Sequence, residues 1–451
     1  MRSTSRMFKA LVGGRILLLG FTTALFTGQA LAQADTWETK APMPTQRYTQ
    51  GGGVVNGILY VVGGFNGFVN LDTVEAYNPA TDTWTTKAPM PTVRATPGVG
   101  VVNGILYAAG GNSEVNGTGT LSVVEAYDPV TNTWTTKAPM PATQSHFGVG
   151  VVNGILYTVG GISGQSAPYG GDGGTVAILQ AYDPITNTWT TKAPMPTVRH
   201  TPGVGVVNGI LYVAGGQGPS GTLTTVEAYD PITNTWTTKA PMPTSRQGPA
   251  GGVVNGILYV AGGYSYEVND LVTTVEAYDP ATNSWTTRVP IPTTRSYPGV
   301  GVVNGILYVV GGSTVRGSGP NGDGVLITNE AFTPEVTEIT VAIDIKPGSF
   351  PNSINPRSRG KIPVAILTTD TFDAATVDPN TVLFGLTGTE AVPVHSAFED
   401  VDGDGDTDMI LHFNTQGTGI QCGDTSASLT GVTLDGQMIQ GSDAINTVGC
   451  K

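Results

Sequence analysis

Hydrophobic and polar positions repeat along this chain with a period of about fifty residues. An apolar run of the form VNGILY begins six times, at Val55, Val102, Val152, Val207, Val254 and Val303. In each copy Asn-Gly separates two short apolar runs, which is the strongest short-range signal for a β-hairpin. A double glycine follows, then a variable loop, a run like VEAYDP and a run like TWTTKAP. Each repeat is therefore predicted to form four antiparallel strands, and no segment of helical period intervenes.

The two ends of the repeat array are incomplete in a complementary way. The sixth repeat has a third strand, TNEAFTP, but no Trp-containing strand follows it. A Trp-containing segment, ADTWETKAP around Trp37, instead precedes the first repeat. We expect this N-terminal strand to complete the sixth unit, because a closed ring leaves no unpaired sheet edge.

The repeat motif is similar to that of a known family. A double glycine is followed by a Tyr and a Trp with six residues between them, as in Tyr77 and Trp84, and this resembles the kelch repeat. The resemblance implies an all-β fold, a six-bladed β-propeller of the galactose oxidase-like superfamily, over residues 33–337. The copper site of galactose oxidase uses Tyr, Cys and His ligands. No Cys lies in the six repeats, so copper chemistry is not expected here.

The N-terminus and the charge balance indicate an exported protein. Residues 1–32 combine a basic start, an apolar run and small residues at Ala30 and Ala32, which is the layout of a secretory signal peptide; a retained anchor is the alternative. The net charge is −13, and removal of this basic leader makes the mature chain more acidic still. We therefore expect an extracellular or periplasmic monomer that neither binds nucleic acid nor inserts into a membrane.

Charged residues recur at two fixed places in the repeats. Arg precedes the first strand at Arg47, Arg94, Arg199, Arg246 and Arg295, and Glu lies on the third strand at Glu75, Glu125, Glu227, Glu276 and Glu330. In the third repeat both are replaced, by Gln144 and Gln180. Because the two charges are lost together, we predict five Arg–Glu pairs and one Gln–Gln pair. An arginine ring that binds an anion is the alternative.

All variation in repeat length lies in the loop after the double glycine, and variable loops on a fixed scaffold are typical binding regions. The predicted ligand-binding residues lie just after the recurring arginines: Tyr48, His146, His200, Gln247 and Tyr297. We expect both histidines to be exposed in a cleft; without a third ligand they do not form a zinc or copper site. No motif for a catalytic nucleophile or a phosphate loop is present.

Residues 338–451 lack the repeat and read as a small β-sandwich. The run EDVDGDGDTD places Asp400, Asp402, Asp404 and Asp408 at alternate positions of a loop, and Asp406 would add a backbone carbonyl. Such a loop predicts Ca²⁺ binding, although Leu411 stands where an EF-hand has Glu. Cys422 and Cys450 are predicted to form a disulfide. The segment also resembles an uncharacterised module of exported bacterial proteins, a resemblance that implies no activity.

The leading functional prediction is a secreted, non-catalytic protein that recognises a protein or a glycan through the loop-rich face of the propeller. One alternative is a carbohydrate-active enzyme, such as a sugar epimerase or an oxidase-like enzyme without copper, since kelch-type propellers include such enzymes. The other alternative is a structural component of a surface or matrix.

Overall fold

The computed structural model describes residues 34–113, 119–164, 174–315, 323–335, 338–434 and 437–450. The predicted signal peptide lies outside these residues. Strands dominate, and the helical elements of the described residues are two short 3-10 helices, Ala374–Thr376 and Thr415–Gly417. Within the described ranges no helix is long and apolar enough to cross a membrane. The all-β prediction is confirmed.

Six four-stranded antiparallel sheets, numbered 1 to 6 in chain order, follow the six repeats. Sheets 1 to 3 consist of Gly51–Val55, Ile58–Val62, Val74–Asn78 and Thr83–Thr86; Gly98–Val102, Ile105–Ala109, Val124–Asp128 and Thr133–Lys137; and Gly148–Val152, Ile155–Val159, Leu179–Asp183 and Thr188–Thr191. Sheets 4 to 6 consist of Gly203–Val207, Ile210–Ala214, Val226–Asp230 and Thr235–Lys239; Ala250–Val254, Ile257–Ala261, Val275–Asp279 and Ser284–Arg288; and Gly299–Val303, Ile306–Val310, Asn329–Thr333 and Thr36–Lys40.

The fourth strand of sheet 6 comes from the N-terminus. Thr36–Lys40 pairs antiparallel with Asn329–Thr333, so that Trp37 lies opposite Phe332. Three short hairpins extend the loops after the double glycines: Asn112–Ser113 with Gly119–Thr120, Gln217–Gly218 with Gly221–Thr222, and Tyr264–Ser265 with Asp270–Leu271.

The local sequence explains the first two strands of each sheet. Asn56 and Gly57 both have positive φ (49° and 75°), as a two-residue type I′ hairpin turn requires. The second strand is buried throughout its centre, where Leu59 and Val61 are fully inaccessible. The first strand contains glycines because neighbouring sheets approach closely there. A Cβ at Gly100 would lie 2.3 Å from a methyl group of Leu156 in the next sheet.

Buried ion pairs connect the start of each sheet to its third strand. In four sheets the Arg and Glu side chains meet at 2.5–2.8 Å, and Arg94 contacts Glu125 in the same way. All five arginines are at most 1% exposed, which lowers their pKa by desolvation, an effect that the paired glutamate partly offsets. The prediction of five Arg–Glu pairs is confirmed.

Sheet 3 replaces the whole ion-pair set with neutral groups. The amide of Gln144 donates to the carbonyl of Gly160, as Arg94 does to Gly110 in sheet 2. The predicted contact between Gln144 and Gln180 is not made: Oε1 of each has no partner among the described residues. A third member of the set changes as well, because the Thr that donates to Glu in the other five sheets is Ala142 here.

Two sets of hydrogen bonds join the sheets in a cycle. Each Trp indole N–H donates to a backbone carbonyl just after the preceding sheet. In sheet 1, for example, Trp84 donates to Ala41, and in sheet 6 Trp37 donates to Val289. The N–H of each second glycine donates to the backbone carbonyl of the Arg or Gln before the next sheet; in sheet 6 the bond runs from Gly312 to Arg47. Both sets therefore link sheet 6 to its neighbours as they link the others.

The C-terminal residues form two further four-stranded sheets. One contains Ile339–Thr340, Leu383–Gly385, Ser426–Val432 and Met438–Ala444; the other contains Ile343–Ile345, Lys361–Ile366, Pro393–Glu399 and Asp408–Asn414. Ser353–Ile354 pairs with Asn446–Thr447. One apolar cluster draws on both four-stranded sheets, including Leu411 and Phe413 from one and Phe384 and Leu429 from the other. Cys422 and Cys450 form the predicted disulfide, with Cα atoms 5.7 Å apart.

Arg94→Gln and Glu125→Gln test the buried ion pairs. Each single change leaves a charge unpaired in the interior and should lower the free energy of unfolding by about 3–5 kcal/mol. The double variant should lose clearly less than the sum, and adding Thr92→Ala reproduces the neutral set of sheet 3. Denaturant unfolding followed by Trp fluorescence reports on the six sheets alone, since all six Trp lie in residues 37–285. Additive effects would show that the two side chains act independently.

Candidate functional site

The loops after the double glycines meet the segments that lead into the first strands, on one face of the repeat array. The residue after each Arg or Gln forms a β-bridge with the residue after a double glycine; in sheet 1 the N–H of Tyr48 donates to Phe65 at 3.0 Å and the return bond is 2.9 Å. The bridged pairs are Tyr48–Phe65, Ala95–Asn112, Ser145–Ile162, His200–Gln217, Gln247–Tyr264 and Ser296–Ser313. We call this side of the array the loop face.

The next residue of each segment belongs to a circle of backbone hydrogen bonds, which we call the axial ring: Thr49, Thr96, His146, Thr201, Gly248 and Tyr297. Five links of 2.6–2.9 Å run from the N–H of one member to the carbonyl of the member in the preceding sheet. All six members have φ between 50° and 58°. This left-handed conformation is unfavourable for Thr, His and Tyr, and such strain is concentrated at functional sites.

Tyr48 and Tyr297 lie in an aromatic cluster on the loop face. Tyr48 packs edge-to-face against Phe65, with ring centroids 5.7 Å apart, and Tyr297 and Val325 pack against the same cluster. Tyr297 also covers the axial residue of sheet 5: a Cβ at Gly248 would lie 2.6 Å from its aromatic ring. Sheets 1 and 6 thus give this side of the face an apolar surface.

His146 and His200 form a second group, with ring centroids 6.1 Å apart. Both are half-buried rather than exposed, which corrects the expectation from the sequence. Desolvation lowers the pKa of His146 to about 3, and repulsion from His200 adds to this effect. Desolvation also lowers the pKa of His200 to about 4. Both imidazoles are therefore neutral at physiological pH.

Gln247 lies apart from both groups. It is 5% exposed, its backbone bridges to Tyr264, and its Oε1 has no partner among the described residues. No position of the axial ring or of the residues just before it carries a formal charge, because the neighbouring arginines are turned inward onto their glutamates. These positions therefore offer hydrogen-bonding and aromatic groups without an ionic one, whereas the loops after the double glycines carry exposed carboxylates at Glu267, Asp270 and Asp323.

The acidic loop brings three carboxylates together in the C-terminal residues. Carboxylate oxygens of Asp400, Asp402 and Asp408 lie within 4.8 Å of one another. Asp408 is fully buried and accepts hydrogen bonds from the N–H groups of Thr368 and Val401, at 2.8 and 3.0 Å. These bonds fix the end of the loop against the sheet.

The rest of the acidic loop is folded by its own carboxylates. Asp400 accepts from the N–H groups of Gly403 and Gly405, Asp402 from that of Asp404, and Asp404 from that of Asp406. Desolvation, with repulsion from Asp404 and Asp408, raises the pKa of Asp402. The site thus holds negative charge that a cation would stabilise.

Sequence reasoning did not identify several residues of the loop face. The residue after each double glycine differs in every repeat, and alignment of the repeats at that glycine would have singled out Phe65 and Tyr264. Ser145, whose hydroxyl lies 3.0 Å from Nδ1 of His146, occupies the variable position that Tyr48 and His200 hold in their repeats, so the sequence pattern does indicate it. The axial hydrogen bonds depend on distances between sheets and could not be predicted from one repeat.

Comparisons with known proteins agree with this architecture. The Kelch motif matches residues 46–91 and 94–141, and the KLHDC2/KLHL20/DRC7 Kelch-repeats domain matches residues 151–312. A solved structure titled "Structure of YjhT" is similar with a TM-score of 0.53 and 19% identity, over 64% of this chain and 95% of that one. No curated protein matches. The chain carries kelch repeats and a β-propeller fold.

The lowered pKa values of the histidine pair predict how stability depends on pH. Above about pH 6.5 both imidazoles are neutral in either state, so the stability is fully present. As the pH falls toward 4 and then 3, the unfolded chain binds protons that the folded sheets do not, and the free energy of unfolding decreases. We expect a slope of up to about 1.4 kcal/mol per pH unit for each histidine.

Urea unfolding followed by Trp fluorescence between pH 4 and 7 measures this slope. His200→Gln should reduce it, whereas His395→Gln, in the C-terminal residues, should leave it unchanged. Equal slopes for wild type and His200→Gln would show that this imidazole titrates normally in the folded protein.

Proposed function

We propose that this protein is a secreted, non-catalytic recognition protein that binds a protein or a glycan through the loop face. The observation that carries the proposal is the chemistry of that face. Strained axial residues present half-buried aromatic, imidazole and hydroxyl groups, while the scaffold beneath retains its ion pairs. A small number of positioned polar groups beside aromatic surface is typical of a binding site.

The proposal depends on an architecture that we infer from the contacts between sheets. The six sheets are the blades of one propeller over residues 33–337, closed by the N-terminal strand, and residues 338–451 form a β-sandwich domain. The hydrogen bonds of the Trp and double-glycine residues, which link sheet 6 to sheets 1 and 5, support the closed ring. The shared apolar cluster supports the sandwich. We also propose that the signal peptide directs export of the protein. The resemblance of the C-terminal segment to modules of exported proteins supports this proposal.

A binding experiment with face-directed variants tests the function. The mature chain is immobilised and exposed to a glycan array and to an extracellular protein fraction. His200→Ala and Tyr297→Ala alter the loop face and should abolish binding of the ligand that the wild type retains. Ile232→Ser, at a turn between third and fourth strands where Ile232 is 90% exposed, is the matched control and should bind as wild type.

The same experiment distinguishes the alternatives. Chemical conversion of a sugar during the incubation would contradict the recognition proposal and would instead indicate a carbohydrate-active enzyme. Retention of ligand that is equal for wild type, face variants and the control would disprove recognition through the loop face and would favour a structural surface component.

We further propose that the acidic loop binds Ca²⁺. Asp400, Asp402 and Asp408 would supply carboxylate oxygens, Asp404 a further side-chain oxygen and Asp406 a backbone carbonyl, which is the hard-oxygen set that Ca²⁺ prefers. The convergence of three carboxylates and the raised pKa of Asp402 support this. Bound calcium would stabilise the domain that follows the propeller and would not itself contact a ligand of the loop face.

Scanning calorimetry with calcium or a chelator tests this site. We expect calcium to raise the melting temperature of the C-terminal transition at pH 7, because a ligand that binds only the folded state stabilises it. Protonation of the carboxylates at acidic pH should remove the effect. Asp400→Asn should abolish the rise, and Asp370→Asn, an exposed carboxylate outside the loop, should preserve it. A calcium-independent melting temperature would contradict the proposal.

A further inference from the structure

The axial ring is interrupted at one place. Its five hydrogen bonds join sheets 1 to 2, 3 to 4, 4 to 5, 5 to 6 and 6 to 1. The sixth bond would run from the N–H of His146 to the carbonyl of Thr96, and it is not made among the described residues. The junction of sheets 2 and 3 therefore keeps a backbone donor and a backbone acceptor that every other junction uses internally.

The hydroxyl of Thr96 also lacks, in the described structure, the internal hydrogen bond that its counterparts form. The hydroxyls of Thr49 and Thr201 donate to the carbonyls of Tyr48 and His200, at 2.6 and 2.8 Å. Oγ1 of Thr96 is buried and has no partner in the described structure. An unpaired buried hydroxyl lowers stability by about 1–3 kcal/mol, so its retention at this junction requires a reason.

The imidazole of His146 adds a fourth polar group. Its Nδ1 interacts with the Ser145 hydroxyl at 3.0 Å, and its Nε2 has no partner among the described residues. If Ser145 donates to Nδ1, Nε2 carries the hydrogen and is a donor; in the other tautomer Nε2 is an acceptor. His200 lies beside it and presents a second neutral imidazole.

Sheet 3 also departs from the other sheets in its sequence at this junction. Four of the six sheets have Pro after the axial residue, whereas sheet 3 has Phe147. The Phe147 side chain packs into sheet 2, where a Cβ at Gly98 or Gly110 would lie 2.1 or 2.9 Å from its ring. Sheet 3 also carries the neutral set of Gln144 and Gln180 below. Sheet 1 also lacks this Pro, with Gln50 in its place, and its axial hydrogen bonds are made, so the combination of Phe147 with the neutral set distinguishes sheet 3.

We propose that the junction of sheets 2 and 3 is a ligand subsite, formed by Thr96, His146 and His200, that binds an uncharged, hydroxyl-bearing ligand of the neutral saccharide class. The inference rests on the proposed recognition function and names the chemistry that this part of the loop face recognises.

The available groups match hydroxyls better than carboxylates. The N–H of His146 is a fixed donor, the carbonyl of Thr96 is a fixed acceptor, and Oγ1 of Thr96 can act as either. A saccharide hydroxyl is both donor and acceptor, so neighbouring hydroxyls can satisfy all of them. A carboxylate is an acceptor only and would face the carbonyl of Thr96 without a cation nearby, since the arginines are paired internally.

Titration of the mature full-length chain with a defined panel tests the subsite. The panel contains neutral hexoses, N-acetylhexosamines, their short oligomers and the acidic sugar N-acetylneuraminic acid, and binding is measured by saturation-transfer NMR and calorimetry. Thr96→Val removes only the unpaired hydroxyl. Thr49→Val removes an internally bonded counterpart in sheet 1 and is the matched control, because both variants keep a β-branched residue at a left-handed φ.

We expect a neutral saccharide to bind saturably, with Thr96→Val and His146→Gln weakening its binding about tenfold and Thr49→Val changing it less than about twofold. Tighter binding of N-acetylneuraminic acid, or equal effects of Thr96→Val and Thr49→Val, would overturn the subsite. So would the absence of saccharide binding. If His146→Gln does not fold, Thr96→Val decides alone. Face-dependent capture of a protein without saccharide binding would overturn the subsite and leave the recognition function intact.

Discussion

In five of the six sheets the ion pair of the arginine before the first strand is the interaction on which the rest of the sheet depends. The arginine side chain bonds within its own sheet: Arg47 donates to the carbonyls of Gly63 and Thr73 and pairs with Glu75. Its backbone carbonyl bonds between sheets, because it accepts the N–H of Gly312 in the preceding one. One residue thus fixes the strands of a sheet and the contact with its neighbour. The double glycine is its necessary partner, since a Cβ at Gly311 would lie 2.6 Å from the Arg47 carbonyl oxygen.

The periodic features of this fold could be predicted from the sequence. Six copies of one pattern served as an internal alignment, so strands, hairpin turns and Arg–Glu pairs followed from the positions that stay constant. The joint replacement of Arg and Glu by Gln144 and Gln180 followed from the positions that change together. The C-terminal residues have no such repetition. The strands Pro393–Glu399 and Met438–Ala444 have weak sequence signals, because the first is largely exposed and the second contains Gly, Ser and Asp, which are typical of turns.

The position of the candidate site could be predicted from the sequence, but the protonation state of its histidines and its backbone conformation could not. Residues following a recurrent arginine had to lie on one face, which placed His146 and His200 together. Their neutral state follows from burial between neighbouring sheets, which the sequence of a single repeat does not show. The axial ring likewise requires φ values that Thr and Tyr rarely adopt, so no local propensity indicates it. Axial hydrogen bonds offset this strain at five junctions, and among the described residues the junction of sheets 2 and 3 lacks this one bond.

Sheet 3 shows which physical requirement the scaffold enforces. Oε1 of Gln144, Oε1 of Gln180 and Oγ1 of Thr158, which lies opposite Gln180, all lack partners among the described residues. Each unpaired neutral group lowers stability by about 1–3 kcal/mol, whereas one unpaired buried charge lowers it by about 3–5 kcal/mol. The chain therefore tolerates imperfect hydrogen bonding, but Arg and Glu are present together or absent together in all six sheets. Charge balance is the stricter constraint, and it keeps each of these arginines paired with a glutamate in the interior of its sheet.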